Sequence, residues 1–188
     1  SAMTNLTMEL KERFFGSDEH PYITFEHKVD QYLGDKQVLL DAGCGRTAPV
    51  LTKYRGRAGR LIGVDLVDFP APIDGVELIN GDLSSIPVPD ASIDVVMSRS
   101  VMEHVTAPLD VYGEMNRVLK PGGHFVFLTG NFWDYAALIA TLVPNRFHPW
   151  IVARTQGRAE ADVFPTAYQT NTRSAVRKWA TATDFDIV

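Results

Sequence analysis

The run Val38-Leu39-Leu40-Asp41-Ala42-Gly43-Cys44-Gly45-Arg46 constrains this chain more than any other stretch. An apolar run that ends in an acidic residue and two glycines reads as a buried strand opening into a tight turn. Gly43 and Gly45 let the backbone pass close to a ligand, which a Cβ would block. A helix is expected behind the turn, from roughly Ala48 to Tyr54. Its first N–H groups would be unpaired and its positive dipole end would face the ligand. Asp41 adds a carboxylate at the carboxyl edge of the strand, where open parallel sheets hold their ligands.

Two ligand classes suit such a turn. Gly43-Cys44-Gly45-Arg46-Thr47-Ala48 fits the loose G-x-G-x-x-G/A pattern of dinucleotide sites. Asp41 argues for the other class, a ligand with a positive amino group, because a carboxylate this close would repel a pyrophosphate. Asp65 ends a second strand, Arg60 to Asp65, about twenty residues after the turn. At that spacing a carboxylate can accept from two ribose hydroxyls. It serves either class.

The 188 residues are enough for one domain with a substantial core. A net charge of −5 gives no general attraction to nucleic acid or to anionic membranes. No nucleic-acid partner is therefore expected. The single cysteine, Cys44, excludes an intramolecular disulfide and fits a reducing, cytoplasmic setting. It reads as a small residue filling the turn rather than as a nucleophile. No apolar run is long enough to span a bilayer.

Further along, Val76 to Asp82 reads as a third strand with its terminal turn. Ile86-Pro-Val-Pro-Asp90-Ala-Ser-Ile-Asp94-Val-Val-Met97 leads into a fourth strand that runs to about Ser98. Asp94 is read as fixing the turn before that strand. Thr106 and Pro108 suit the start of a helix, with Val111, Met115, Val118 and Leu119 as its buried stripe. Lys120-Pro121-Gly122-Gly123 stops that helix and leads into a fifth strand, His124 to Thr129.

Asp41-Ala-Gly-Cys-Gly45, Asp82-Leu83, the Ile86–Met97 segment and Arg117-Val-Leu-Lys-Pro-Gly-Gly-His124 occur together in order and spacing over residues 37–130. In this the sequence resembles the class I S-adenosylmethionine-dependent methyltransferases, in their small-molecule, type 11-like branch. The resemblance implies an α/β fold, a Rossmann-like doubly wound and mostly parallel sheet. It implies S-adenosyl-L-methionine as cofactor, held by Asp41, Gly43, Gly45, Asp65, Leu66, Asp82, Leu83 and Ser98. Asp82 would accept from the exocyclic amine of adenine and Leu83 would stack on its ring. The implied activity is methyl transfer to a small-molecule acceptor. A non-catalytic S-adenosylmethionine-binding or scaffold domain and an NAD-dependent reductase are the alternatives.

Organisation follows from the same reading. Residues 1–34 form an N-terminal helical cap, with helices expected at Leu6 to Phe15 and from Thr24 to Gly34. In the resembling family such helices cover cofactor or substrate, a role open here to Tyr22 or His27. Residues 35–188 form the cofactor-binding domain. Within it, 131–170 is a substrate-side segment, with an apolar stretch from Phe132 to Val143 that suits either a buried helix or a lipid-like substrate at a membrane surface. Asn171 or Thr172 caps a last helix with Val176, Trp179 and Ala180 inward. Asp184 to Val188 begins a sixth strand. The family's last strand, the antiparallel seventh, has no counterpart in this chain, which implies a truncated fragment or an edge covered in another way.

Methyl transfer displaces a sulfonium methyl group, so the protein mainly positions the two reactants. A base is needed only where the nucleophile must lose a proton. His104, just after the fourth strand, is the candidate, with helix capping as its other reading. Glu103-His104 resembles part of the metal pattern of some quinone-biosynthetic O-methyltransferases. That pattern has a further Glu where this chain has Ser100, so no metal is expected.

Overall fold

The computed structural model describes residues 20–130 and 166–188. The expected helix at Leu6 to Phe15 and the apolar stretch from Phe132 to Val143 lie outside the described residues. Five strands form one parallel sheet: β1 (Val38–Ala42), β2 (Arg60–Asp65), β3 (Glu77–Asn80), β4 (Ile93–Arg99) and β5 (Leu119–Leu128). Their order is β3-β2-β1-β4-β5, with every neighbouring pair parallel. The order reverses at β1, so the strand carrying Asp41 lies at the topological switch point, where such sheets open a crevice.

Side chains alternate between two apolar layers, as a pleat buried on both faces requires. On one face Leu40, Ala42, Ile62, Val64 and Val96 pack with Val111, Tyr112 and Met115 of helix α2 (Pro108–Val118). Trp179, from helix α3 (Arg173–Ala182), joins that layer. On the other face Leu39, Leu61, Val95 and Met97 pack with Phe25 and Val29 of helix α1 (Pro21–Tyr32). Helices thus cover both faces, and the sheet is doubly wound as the sequence implies. Burying each such aliphatic side chain contributes roughly 1.5–3 kcal/mol.

Helix α1 is drawn onto the sheet by its acidic edge. Glu26 and Asp30, one turn apart, meet Lys53 at 2.5 Å and Arg57 at 2.7 Å. Lys53 and Arg57 thus tie the segment after the glycine turn to α1, although exposed pairs of this kind are individually worth about 0–1 kcal/mol. At its other end Tyr32 stacks on His124 of β5, with centroids 3.8 Å apart.

Four expectations need correcting. No α-helix runs from Ala48 to Tyr54: Ala48 sits at φ +42 and only a short 3-10 turn, Leu51–Tyr54, forms. Pro49 is the physical reason, because its ring disfavours the helical conformation at the residue before it. Thr106 does not cap α2; Ala107 occupies that position without a side-chain cap, and the Thr106 carbonyl accepts instead from Gln169 Nε2 at 3.1 Å. Residues Asp184 to Val188 form no strand. Asp184 turns at φ +57, and Phe185 packs edge-on against Tyr112 and beside Phe125. β5 begins at Leu119 rather than His124, with a register shift against β4 where Lys120 to Gly123 bulge out.

Other expectations hold. Asp94 accepts from the Val38 amide at 2.8 Å and pairs with Lys120 at 2.7 Å, fixing the entry to β4. Thr172 caps α3 by accepting from the Ala175 amide at 3.1 Å. Among the described residues no helix is long and apolar enough to cross a membrane.

Candidate active site

A cavity of about 840 Å³ opens at the carboxyl ends of β1, β2 and β4. That size lies in the upper part of the range for small-molecule sites. Asp41, Gly43, Gly45, Asp65, Leu66, Asp82, Leu83 and His104 all line it. Residues spread over more than sixty positions in the chain are thus brought to one wall system.

The glycine turn is fixed by its own hydrogen bonds. The Gly43 and Cys44 amides both donate to Val64 O, at 2.8 and 3.1 Å, and the Gly45 amide donates to Asp65 Oδ2 at 2.7 Å. Gly43 adopts φ +88, and a Cβ there would meet Val101 Cγ2 at 2.2 Å. Gly45 adopts φ +72 and faces open space, where a side chain would fill the floor of the cavity. Cys44 fills the space beside Gly63, whose missing Cβ would lie 2.8 Å from its Sγ. Burial, with Asp41 and Asp65 adding to it, pushes the Cys44 thiol well up. This suits a filler and not a nucleophile.

Asp65 does two jobs. One oxygen holds Gly45; the other accepts from the Val67 amide at 3.1 Å. A carboxylate has about four acceptor positions, so these two bonds leave acceptor capacity on a residue that lines the cavity. Asn80 supports the same loop, donating to Leu66 O and Val67 O at 3.2 and 3.0 Å. That loop leaves Leu66 58% exposed on the cavity rim, a large apolar side chain with a ligand's space beside it. Asp82 accepts from the amide and the hydroxyl of Ser84, both at 2.8 Å. Those two bonds hold its carboxyl below the ordinary carboxylate range.

Asp41 has the opposite character. It is 3% exposed, and among the described residues no donor hydrogen-bonds its carboxylate. Burial raises it to about 7, with Arg99 opposing and Asp65 reinforcing the rise. Ser98 is the one expected site residue the structure places elsewhere. It is fully buried, and its hydroxyl donates to Ala42 O at 2.8 Å, tying β4 to β1 outside the cavity lining.

Sequence reasoning passed over Arg99, Ser100 and Val101, which complete the wall after β4. Ser100 sits at φ +59, a conformation non-glycine residues seldom take. A cation ending an otherwise apolar strand was the available signal for Arg99. Of the two α1 candidates, Tyr22 lines the cavity and His27 does not. Lys53, Arg57 and Arg99 all reach toward that helix.

Comparison with known proteins places this geometry. Residues 40–127 match the family described as a methyltransferase domain. A probable S-adenosylmethionine-dependent methyltransferase of Mycolicibacterium smegmatis is 36% identical over 100 residues, 50% of this chain and 38% of that protein. A 24-methylenesterol C-methyltransferase of Oryza sativa subsp. japonica is 33% identical over 99 residues, 47% of this chain and 27% of that protein. The match therefore spans well under half the length of these curated relatives. Among solved structures, a putative methyltransferase of Bacillus halodurans superposes with a TM-score of 0.61 at 18% identity, covering 85% of this chain and 67% of that one. At that identity the likeness speaks for the fold alone. Sequence and fold agree over the same stretch: residues 40–127 match a methyltransferase domain, and the sheet around them has the class I S-adenosylmethionine-dependent methyltransferase fold.

Proposed function

We propose that this domain binds S-adenosylmethionine and transfers its methyl group to a small, largely apolar acceptor. The observation that carries the reading is the single cavity holding Asp41, Asp65 and Asp82 at successive strand ends, with Gly45 leaving the floor open. Asp41 faces the ammonium group, Asp65 the ribose hydroxyls and Asp82 the adenine amine, while Leu66 and Leu83 flank the ring. When bound, the cofactor supplies the electrophilic methyl group. The protein's part is to align a nucleophile with it and to exclude water. His104 accepts the proton where the acceptor must lose one.

A dinucleotide fits less well. The three turn amides that would cradle a pyrophosphate are already engaged, and no α-helix stands behind them. Three carboxylates would repel the phosphates. The apolar acceptor is suggested by Val101, Val105 and Val111 around His104, and by the name of the sterol-methylating relative. A lipid-like substrate met at a membrane surface falls within this proposal. So does a cytoplasmic setting, which the single buried cysteine suits.

Calorimetric titration with S-adenosylhomocysteine, with NADH as control, tests the reading. Saturable binding of S-adenosylhomocysteine alone is expected; binding of NADH in preference would overturn it. Asp82→Ala should weaken that binding by roughly 1.5–3 kcal/mol through the lost charge-assisted hydrogen bond. His104→Ala should keep the affinity and lower methyl transfer to a panel of sterol, prenyl and quinol acceptors. Binding by the native protein without turnover on any acceptor would favour the non-catalytic alternative.

A further inference from the structure

His104 reaches the cavity from a turn that does little to hold itself. The chain leaves β4 through Ser100 at φ +59 and forms one 3-10 turn, Met102–His104, with no side-chain cap. The His104 amide donates to Val101 O at 2.8 Å, but the Val105 amide reaches Met102 O only at 3.4 Å, beyond the usual hydrogen-bond length. Such short 3-10 pieces carry poorer hydrogen bonds than an α-helix. The rest of what fixes this turn comes from outside it.

It comes from residues 167–171, more than sixty positions further along the chain. The Ala167 and Tyr168 amides both donate to Glu103 O, at 2.8 and 3.1 Å. The Thr170 hydroxyl donates to Met102 O at 2.6 Å, and Gln169 Nε2 donates to Thr106 O at 3.1 Å. The Glu103 carboxylate accepts from the Thr129 hydroxyl at 3.1 Å, and Asn171 Nδ2 donates to that hydroxyl and to Gly130 O. Backbone carbonyls on both sides of His104 are thus gripped by one segment. That segment is itself anchored. Thr170 and Asn171 are buried, Trp179 Nε1 of α3 donates to Gln169 O at 3.0 Å, and Thr172 caps α3. None of residues 167–171 lines the cavity, whereas Val101, His104, Val105, Thr106 and Ala107 do.

We propose that residues 167–171 are the positioning element of the acceptor side of the cavity, with Thr170 and Gln169 fixing where the His104 turn stands. The inference rests on the reading of His104 and the cavity given above, and adds residues that touch neither reactant. The two sides of the cavity then differ in origin. Loops close to their own strands shape the Asp65 and Asp82 side, while a distant stretch of chain shapes the His104 side. A shift of that turn by about 1 Å would lower turnover, by as much as roughly 100-fold, and leave cofactor affinity alone.

The test reads the histidine ring signals of the full chain by nuclear magnetic resonance, with and without S-adenosylhomocysteine, the His104 signals being assigned through His104→Gln. Thr170→Val keeps the side chain's shape and removes the hydroxyl; Thr170→Ser keeps the hydroxyl. Thr170→Val should displace the His104 signals and leave those of His27, on α1, and His124, on β5, in place, with S-adenosylhomocysteine affinity nearly unchanged. Thr170→Ser should restore the native position. Gln169→Ala, at an exposed side chain, should displace the same signals less, and it carries the test if Thr170→Val does not fold. With an acceptor that the native protein methylates, Thr170→Val should lower kcat by about tenfold or more at an unchanged KM for S-adenosylmethionine. His104 signals at the native position in both Thr170→Val and Gln169→Ala would overturn the proposal. Movement of all three histidines together with a loss of affinity would also overturn it, by making Thr170 a support of the whole fold. A native protein that binds no S-adenosylhomocysteine would instead remove the cofactor reading, while the His104 signals of the free protein still decide what residues 167–171 do.

Discussion

At the β2–β3 end of the cavity, Asp65 and Asp82 already accept hydrogen bonds from Gly45, Val67 and Ser84. At the β1–β4 end, Asp41 and Arg99 have no hydrogen-bond partner among the described residues. The same residue chemistry thus serves two purposes. The first end is built before any ligand arrives: its carboxylates hold the loops in shape and offer their spare lone pairs. The second is less complete: among the described residues the Asp41 carboxylate has no hydrogen-bond donor, and Arg99 has only Glu26 at 3.6 Å and the Tyr22 ring. Pre-built walls favour affinity through pre-organisation. On the proposed reading, the second wall leaves the Asp41 carboxylate for a positive group that the ligand brings.

The largest effect should come from breaking the glycine turn that joins the two ends. Gly43→Ala combines a left-handed backbone with a Cβ 2.2 Å from Val101 Cγ2 and 3.0 Å from its Cβ, so no rotamer change relieves it. We expect a loss of roughly 3–5 kcal/mol in thermal or urea unfolding. Gly45→Ala meets nothing within 4 Å and should cost only about 1–2 kcal/mol for its φ of +72. Its methyl group would nevertheless intrude on the ligand's floor and weaken S-adenosylhomocysteine binding. Equal stability losses for the two variants would mean that the turn is not packed as described.

The unpaired end is tested through pH. Asp41 is raised in the folded chain from the ordinary carboxylate value of 3.8 to about 7. Between those values the folded state holds a proton that the unfolded state has released. Stability from this group is therefore complete below about pH 4 and is lost as pH rises to about 7. Asp41→Asn should flatten that part of the profile and raise stability at pH 8 by about 2 kcal/mol. The same variant should lose S-adenosylhomocysteine affinity. In the native protein that affinity should rise with pH toward 7, with proton release visible as a buffer-dependent binding enthalpy. A profile unaltered by Asp41→Asn would contradict the picture of a charge waiting for its partner.

The two ends also differed in how far the sequence revealed them. Strand β2 is legible as Arg60 to Asp65 because an apolar run between a basic turn and an acid has few other uses. The carboxylates at strand ends follow from it. What resisted reading depends on neighbours in space. Pro49 cancels the helix after the glycine turn, and its effect competes with the helical spacing around it. Phe185 leaves the expected sixth strand for the aromatic cluster of Tyr112 and Phe125, a tertiary preference that no local pattern encodes. Asn80 shapes the Leu66 loop across a strand pairing. Arg99 gains its meaning only once α1 brings Tyr22 and Glu26 beside it.

Ser98 gives the smallest effect and the cleanest separation between the strand beneath the cavity and the walls that line it. The family resemblance placed it with the ligand; strand alternation turns its hydroxyl inward to Ala42 O, with no exposure. Ser98→Ala removes one buried neutral hydrogen bond, the one to the Ala42 carbonyl. It should cost about 0.5–1.5 kcal/mol of stability. S-adenosylhomocysteine affinity should stay within twofold, since β1 and β4 remain paired from Leu39↔Val95 to Asp41↔Met97 and keep Asp41 in register. A large loss of affinity at unchanged stability would return Ser98 to the site and shift the β4 end of the cavity inward by one residue, taking Arg99 off the wall.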